Sequence, residues 1–220
     1  MNGDSQRLDV WNVAEYEIER IVCVHHSQRR VQVTLQDQEI KSPQALLPGI
    51  ANADPLTGLL GRSEMQWLLE REIQRMGRQE NIFSFALLDV DRLEIINSSL
   101  GYAAGNAVLC RLAQTLRGIV RETDYVARWE DDAFAVLLPE THYSGARAFA
   151  DRLRLVLRNG QTTPSLPPVT ISAGVISVCK KSLGLPVLLE CAVKVLYAAK
   201  NAGRDRANFL VLDEETTWVE

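Results

Sequence analysis

The sequence predicts an α/β fold of the α+β sandwich kind, a central and mostly antiparallel sheet flanked by helices, preceded by a small N-terminal extension. Three observations predict it. Residues Ile82 to Val90 form a near-continuous apolar run, as expected of a central strand buried on both faces. Tyr125 to Trp129 and Phe134 to Leu138 are two β-prone runs separated by a short acidic break, the pattern of a hairpin. Around them, apolar residues recur at helical spacing in three separate stretches. A chain of 220 residues with 46% hydrophobic composition can bury one medium core and still carry an extension.

Taken in order, residues 1–49 differ in character from the rest. Ile21 to Val24 is apolar and Arg30-Val-Gln-Val-Thr-Leu-Gln alternates with period two, so a hairpin turning near His25 to Arg29 is expected, with Val10 to Ile18 a short helix or a further strand. Two readings stay open for this extension: a packing or dimerisation element, or a sensory module. Pro43 and Pro48-Gly49 then break the chain, and residues 50–220 form the main domain. Ser63-Glu-Met-Gln66 reads as a capping box, and Met65, Leu68, Leu69, Ile73 and Met76 place a helix after it. Leu109, Leu112, Ala113 and Leu116 mark a second amphipathic helix, and Phe149, Ala150, Leu153 and Leu157 a third. Thr163 to Pro168 is a loop, Val169 to Val178 a strand, and Pro186 to Lys200 a fourth helix with proline in its first turn.

The formal net charge of −4 creates no global field toward nucleic acid or anionic lipid. No run of eighteen apolar residues occurs, and the first residues lack the layout of a signal peptide, so the expectation is a cytoplasmic protein without membrane insertion. Cys23, Cys110, Cys179 and Cys191 are scattered and are expected to be buried free thiols. His25 and His26 are adjacent, so in a strand they point to opposite faces and cannot chelate one ion together.

The chemistry concentrates in the hairpin. Its turn is Glu130-Asp131-Asp132, where hairpins usually use Asn-Gly or Gly-Gly because those residues accept positive φ cheaply. Just upstream, Arg121-x-x-Asp124 sets a guanidinium fork and a carboxylate three residues apart, a pair able to hold a phosphate and a base edge at one spot. Asp89 ends the buried strand, where open α/β sheets bind ligands.

These motifs resemble those of the GGDEF, or diguanylate cyclase, family over roughly residues 52–212. Asp54-Pro-Leu-Thr57-Gly58-Leu-Leu-Gly61-Arg62 is similar to the family's D-x-L-T-G-L-x-N-R, with Gly61 in place of asparagine. The stretch Asp89-Val-Asp91 through Glu94, Asn97, Gly101-Tyr102, Gly105 and Asn106 resembles D-x-D-x-F-K-x-I-N-D-x-x-G-H-x-x-G-D with unbroken spacing. Tyr197-Ala-Ala-Lys200-Asn-Ala-Gly203-Arg204-Asp-Arg206 resembles Y-x-A-K-x-x-G-R-N-R. The signature itself reads Glu130, Asp131, Asp132, Ala133, Phe134, without either glycine and without the second acidic residue.

The resemblance implies a nucleotidyl-cyclase-like sheet and a reaction in which two GTP molecules, each held by one half of a dimer, are joined with divalent cations on the triphosphates. It implies metal ligation by Asp89 and Asp132, both hard oxygen donors suited to Mg²⁺; the alternative is that they are turn residues. It places Asn97 and Asn106 on guanine, with Asn106 an amide where an acceptor-only carboxylate is usual, and Lys200 and Arg204 on the terminal phosphates. Against this, Ala133 removes a carboxylate, Glu94 stands in place of a phosphate-facing lysine, and Glu130 and Asp131 add bulk and negative charge where the nucleotide must approach. Each such loss costs on the order of 10²-fold in rate, so the expectation is a domain that is not an enzyme and requires no cofactor, with Mg²⁺ relevant only if GTP binds.

Arg121 and Asp124 match the family's inhibitory site for cyclic di-GMP, and Arg152 falls by register where a further arginine contributes. A lone pair of this kind is often a solvated ion pair of small energy; here the spacing to the hairpin is the family's own, and Arg152 arrives independently on a different element. The expected function is therefore a catalytically inactive GGDEF domain that serves as a cyclic di-GMP receptor in bacterial second-messenger signalling, with a homodimer or another protein as partner and no nucleic acid. The alternatives are a weak cyclase or GTP-binding regulator at the eroded site, and an interaction module that needs no nucleotide.

Overall fold

The structure is a computed structural model, and it describes residues 53–76, 81–159, 169–179 and 183–213. The expectations for residues 1–49, Cys23, His25, His26 and the loop Thr163 to Pro168 lie outside these residues. The described chain runs α1 (Arg62–Met76), β1 (Phe83–Val90), α2 (Leu93–Leu100), α3 (Tyr102–Ile119), β2 (Tyr125–Arg128), β3 (Ala133–Pro139), α4 (Tyr143–Asn159), β4 (Ile171–Val178), α5 (Leu185–Asn201) and β5 (Arg206–Leu212).

The five strands form one sheet in the order β2-β3-β1-β4-β5. Strands β1 and β3, β1 and β4, and β2 and β3 pair antiparallel, while β4 and β5 pair parallel. A parallel neighbour needs a crossover, and α5 supplies it. The mostly antiparallel sheet expected from the sequence is thus present, and β1 is buried at all its positions.

Alternation along β1 divides the core in two. Ala86, Leu88 and Val90 face α3 and α4, packing with Leu109, Leu112, Leu116, Phe149 and Leu153. Phe83, Phe85 and Leu87 face α1 and α5, packing with Met65, Leu69, Leu188 and Ala192. The apolar stripes read at helical spacing are the buried faces of these helices. On the second face α5 lies unusually close to the sheet: a Cβ built on Gly174 of β4 would meet Ala192 O and Leu196 N at 2.5 Å, so only glycine admits that approach.

Three local readings are corrected. Helix α1 starts one residue before the expected cap, with Met65 N–H donating to Gly61 O at 3.2 Å, so Ser63 lies inside the first turn and cannot act as its N-cap. Helix α2 and strand β5 were not anticipated. Of the described cysteines, all free, Cys191 is buried but Cys110 and Cys179 are only half-buried.

The Asp54 motif makes a closed loop before α1. Asp54 Oδ1 accepts from Thr57 N–H at 2.8 Å and from the Thr57 hydroxyl at 2.6 Å, and Gly58 takes a φ of 65° that favours glycine. Leu60 then lies beside β2, exchanging backbone bonds with Val126 and Arg128. The start of the domain is thereby tied to the strand that leads into the acidic turn. Among the described residues no helix is long and apolar enough to cross a membrane.

Candidate functional site

Register places the first site. Across the sheet, Ala133 of β3 sits opposite Asp89 of β1, Asp89 opposite Ser172 of β4, and Ser172 opposite Arg206 of β5. This row lies at the end of the sheet where the acidic turn, the C-terminus of α5 and the turn into β5 also meet. Asp89 is 7% exposed and its Oδ2 accepts from Lys200 Nζ at 2.7 Å. Burial pushes the Asp89 carboxyl up to about 6; Lys200 opposes that rise, and the negative charges of Asp132 and Asp91 reinforce it. Buried negative charge at Asp89 and Asp91, with Asp132 beside it and Lys200 against Asp89, is an electrostatic setting that suits a hard cation. Two carboxylates fit Mg²⁺, which commonly takes one or two protein carboxylates and completes its shell with substrate phosphates and water. Among the described residues no three His, Cys, Asp or Glu side chains are grouped so as to hold a metal ion.

The acidic turn is built without glycine. None of Glu130, Asp131 and Asp132 takes a positive φ, so the loss of the glycines stores no left-handed strain. Arg128 organises the turn, its Nε donating to Glu130 O at 2.6 Å and its Nη2 to Asp131 O. Trp129 N–H and Glu130 N–H both donate to Ala133 O, at 2.8 and 3.2 Å. The Glu130 carboxylate is paired with Arg62 Nη1 at 2.6 Å, and that guanidinium also lies 4.8 Å over the Trp129 ring. The negative charge expected to repel phosphate at Glu130 is therefore matched by an arginine sixty-eight residues away in sequence. Asp132 is half-buried, and its carbonyl accepts from Val90 N–H at 3.1 Å.

Asn97 and Asn106 lie on neighbouring helices that meet at Gly101, whose φ of 83° makes the bend. A Cβ on Gly105 would fall 1.9 Å from Asn97 Oδ1, so this glycine leaves the space in which the Asn97 amide lies. Asn106 is exposed one residue on. Glu94 is exposed in the first turn of α2, where a carboxylate is favourable at the positive end of the helix dipole.

Sequence reasoning missed Asp91. It is 6% exposed and accepts from Thr170 Oγ1 at 2.7 Å, Ser172 Oγ at 2.6 Å and the backbone N–H of Asp205 at 3.0 Å. This carboxylate fastens the turn that carries Arg204 to the end of β1. Its only sequence signal is its place in Asp89-Val-Asp91.

The second site lies before β2, so its Asp124 is separated from the acidic turn by that four-residue strand, about 13 Å of extended chain. Arg121 N–H donates to Asp124 Oδ2 at 2.7 Å and Asp124 N–H donates to Arg121 O at 3.1 Å, which closes the turn in both directions. Asp124 is 3% exposed, and its Oδ1 is buried with no hydrogen-bond partner. Burial holds its carboxyl above the ordinary value, against the pull of the Arg121 N–H and of the Arg121 and Arg152 guanidiniums. Arg152, on α4, donates from Nη2 to Ile119 O at 2.7 Å. All three residues singled out from the sequence thus meet at one place.

The family described as "Diguanylate cyclase, GGDEF domain" matches residues 51–206. The chain is 34% identical over 191 residues to a protein of Pseudomonas aeruginosa described as diguanylate cyclase DgcP, an alignment that covers 86% of this chain and 27% of the relative. It spans about a quarter to two fifths of the length of the curated relatives it matches first. Diguanylate cyclase SiaD of Pseudomonas aeruginosa, solved in complex with its activator SiaC, shares 31% identity and a TM-score of 0.67, over 71% of this chain and 61% of that one. The coiled coil and GGDEF domain of Caulobacter crescentus DgcB, solved in complex with c-di-GMP, shares the fold at 23% identity and a TM-score of 0.68, over 73% and 86% of the two chains.

These relatives overturn the expectation that the domain is not an enzyme, since DgcP and other relatives of this chain are named diguanylate cyclases. The turn is compatible with that correction: it holds its backbone without left-handed strain, and the Glu130 carboxylate is paired with Arg62. The chain belongs to the GGDEF domain family, the diguanylate cyclase family of cyclic di-GMP signalling.

Proposed function

We propose that the domain works as a slow diguanylate cyclase and binds cyclic di-GMP at Arg121, Asp124 and Arg152. The observation that carries the ligand assignment is Asp124: a buried carboxylate with one oxygen fastening its own turn and the other unpaired, between two guanidiniums. A guanine edge offers N1–H and N2–H₂ donors to such an oxygen, and the arginines suit the phosphates and the base. An unpaired buried acceptor costs stability unless something donates to it, and this ligand class supplies the donors.

At the other site GTP is held with its triphosphate toward Lys200 and Arg204 and its guanine toward Asn97 and Asn106. Asp89 and Asp132 would hold Mg²⁺, which neutralises the triphosphate charge when bound. Lys200 exchanges its contact with Asp89 for phosphate as the nucleotide enters. Positioning and electrostatic stabilisation dominate phosphoryl transfer, so the carboxylate missing at Ala133 slows the reaction while leaving the binding groups in place. The product joins two GTP molecules, so two copies must face each other, and the sequence before residue 50 is a candidate for bringing them together.

Incubation of the 220-residue protein with GTP and Mg²⁺, followed by chromatography, tests the enzymatic half. Slow formation of cyclic di-GMP that vanishes in Asp89→Asn is expected. Equal product from the variant would remove Asp89 from the chemistry, and no product from the native chain would overturn the cyclase assignment.

A further inference from the structure

The turn between α5 and β5 is held by more than its own backbone. Gly203, Arg204 and Asp205 take φ values of 113°, 63° and 45° in succession. Arginine adopts this region only where its surroundings hold it there. Arg204 N–H donates to Ala199 O at 3.1 Å, and its carbonyl accepts from Arg206 Nε at 3.2 Å. Asp205 fastens the next position from two sides. Its backbone N–H donates to the buried Asp91 carboxylate at 3.0 Å. Its own carboxylate accepts a hydrogen bond from Arg158 Nη2 at 2.6 Å and forms an ion pair with Arg154, whose Nε lies 3.5 Å away. Those arginines lie one turn apart on α4, so they share a face of that helix.

We propose that Asp205 is a positioning residue that sets Arg204 toward the terminal phosphates of bound GTP, by tying its turn to Asp91 on one side and to Arg154 and Arg158 of α4 on the other. The inference rests on the reading of Lys200 and Arg204 as triphosphate ligands. It makes a prediction of unusual sign. Removing a carboxylate next to a polyanion site should, by charge alone, strengthen GTP binding. If Asp205 acts by holding Arg204 in place, removing its charge weakens GTP binding instead. Asp205→Asn is the suitable change, because asparagine keeps the side-chain size and tolerates the left-handed backbone.

The test is titration of the native chain, Asp205→Asn, the double variant Arg154→Gln/Arg158→Gln, and the combination of all three, with GTP plus Mg²⁺ and in parallel with GMP plus Mg²⁺. The expected result is a loss of GTP affinity of about five- to tenfold in Asp205→Asn, the weakening of one charge-assisted contact. GMP, which lacks the terminal phosphates and so makes no contact with Arg204, should bind the native chain and all variants within about twofold. The arginine double variant should show the same loss, and the combination no further loss, because all act through one linkage. Tighter GTP binding in Asp205→Asn, or equal losses for GTP and GMP, would overturn the positioning role while leaving the site standing. A native chain that takes up neither nucleotide would overturn the site reading itself, and the inference with it.

Discussion

Replacing Ala133 with glutamate should raise the rate of cyclic di-GMP formation sharply. Ala133 lies directly across from Asp89 in the antiparallel pair of β1 and β3, on the same face of the sheet. Side chains so placed have Cβ atoms about 4.5–5.5 Å apart, so a carboxylate there can reach the cation that Asp89 is proposed to hold. One preorganised electrostatic contact at a reacting phosphate is worth about 10²–10³-fold in kcat, or about 2.7–4 kcal/mol of barrier. The change also has a cost: Ala133 is 6% exposed and its neighbour is already a carboxylate with a raised pKa of about 6. Without nucleotide and metal, Ala133→Glu should therefore lose about 1–3 kcal/mol of stability, and GTP with Mg²⁺ should restore part of it. Single-turnover chromatography of both proteins, with melting curves in the presence and absence of GTP and Mg²⁺, measures the two quantities. A variant that folds and binds GTP yet turns over no faster than the native chain would refute the assignment of this row as the reacting site.

Three further predictions follow from the geometry. Gly105→Ala should place a methyl group on the Asn97 amide, 1.9 Å from its oxygen, and so weaken GTP binding while the melting temperature and cyclic di-GMP affinity stay near native; calorimetry with both ligands separates these outcomes. Gly174→Ala meets backbone atoms of α5 at 2.5 Å and should cost about 1–3 kcal/mol by overpacking, a drop of several degrees in melting temperature. Cyclic di-GMP affinity should fall with pH. Protonation of Asp124 removes the acceptor that guanine needs, and because burial raises its carboxyl, the loss should begin at a higher pH than it would for an exposed aspartate. The same raised value means that ionised Asp124 disfavours the ligand-free fold, so its contribution to stability falls as pH rises through that window, opposite in direction to the binding. Asp124→Asn should flatten both dependences.

The elements that were legible in the sequence are those with strong local patterns. Strand β1 announced itself as a near-continuous apolar run, the hairpin as two β-prone runs around an acidic break, and three of the helices that flank the sheet as periodic stripes. Helix α2 was not legible, because Asn97-Ser-Ser is a poor helical sequence and Arg92 at its start takes a left-handed conformation with no side-chain cap. Strand β5 pairs in parallel with β4 through the α5 crossover, a long-range arrangement that no local period reports. The meeting of Arg121, Asp124 and Arg152 followed from family register alone. The consequence of Glu130 did not, because its charge is answered by Arg62 far along the chain. The tether of Asp205 to Asp91, Arg154 and Arg158 likewise joins residues distant in sequence.

The central claim, that Arg121, Asp124 and Arg152 form a cyclic di-GMP site, is tested most directly by isothermal titration of cyclic di-GMP into the native chain and Arg121→Ala. The account predicts saturable binding by the native protein and a loss of about 1.5–3 kcal/mol in the variant, that of one charge-assisted bidentate contact. Flat titration of the native chain, or the same affinity in both proteins, would contradict it.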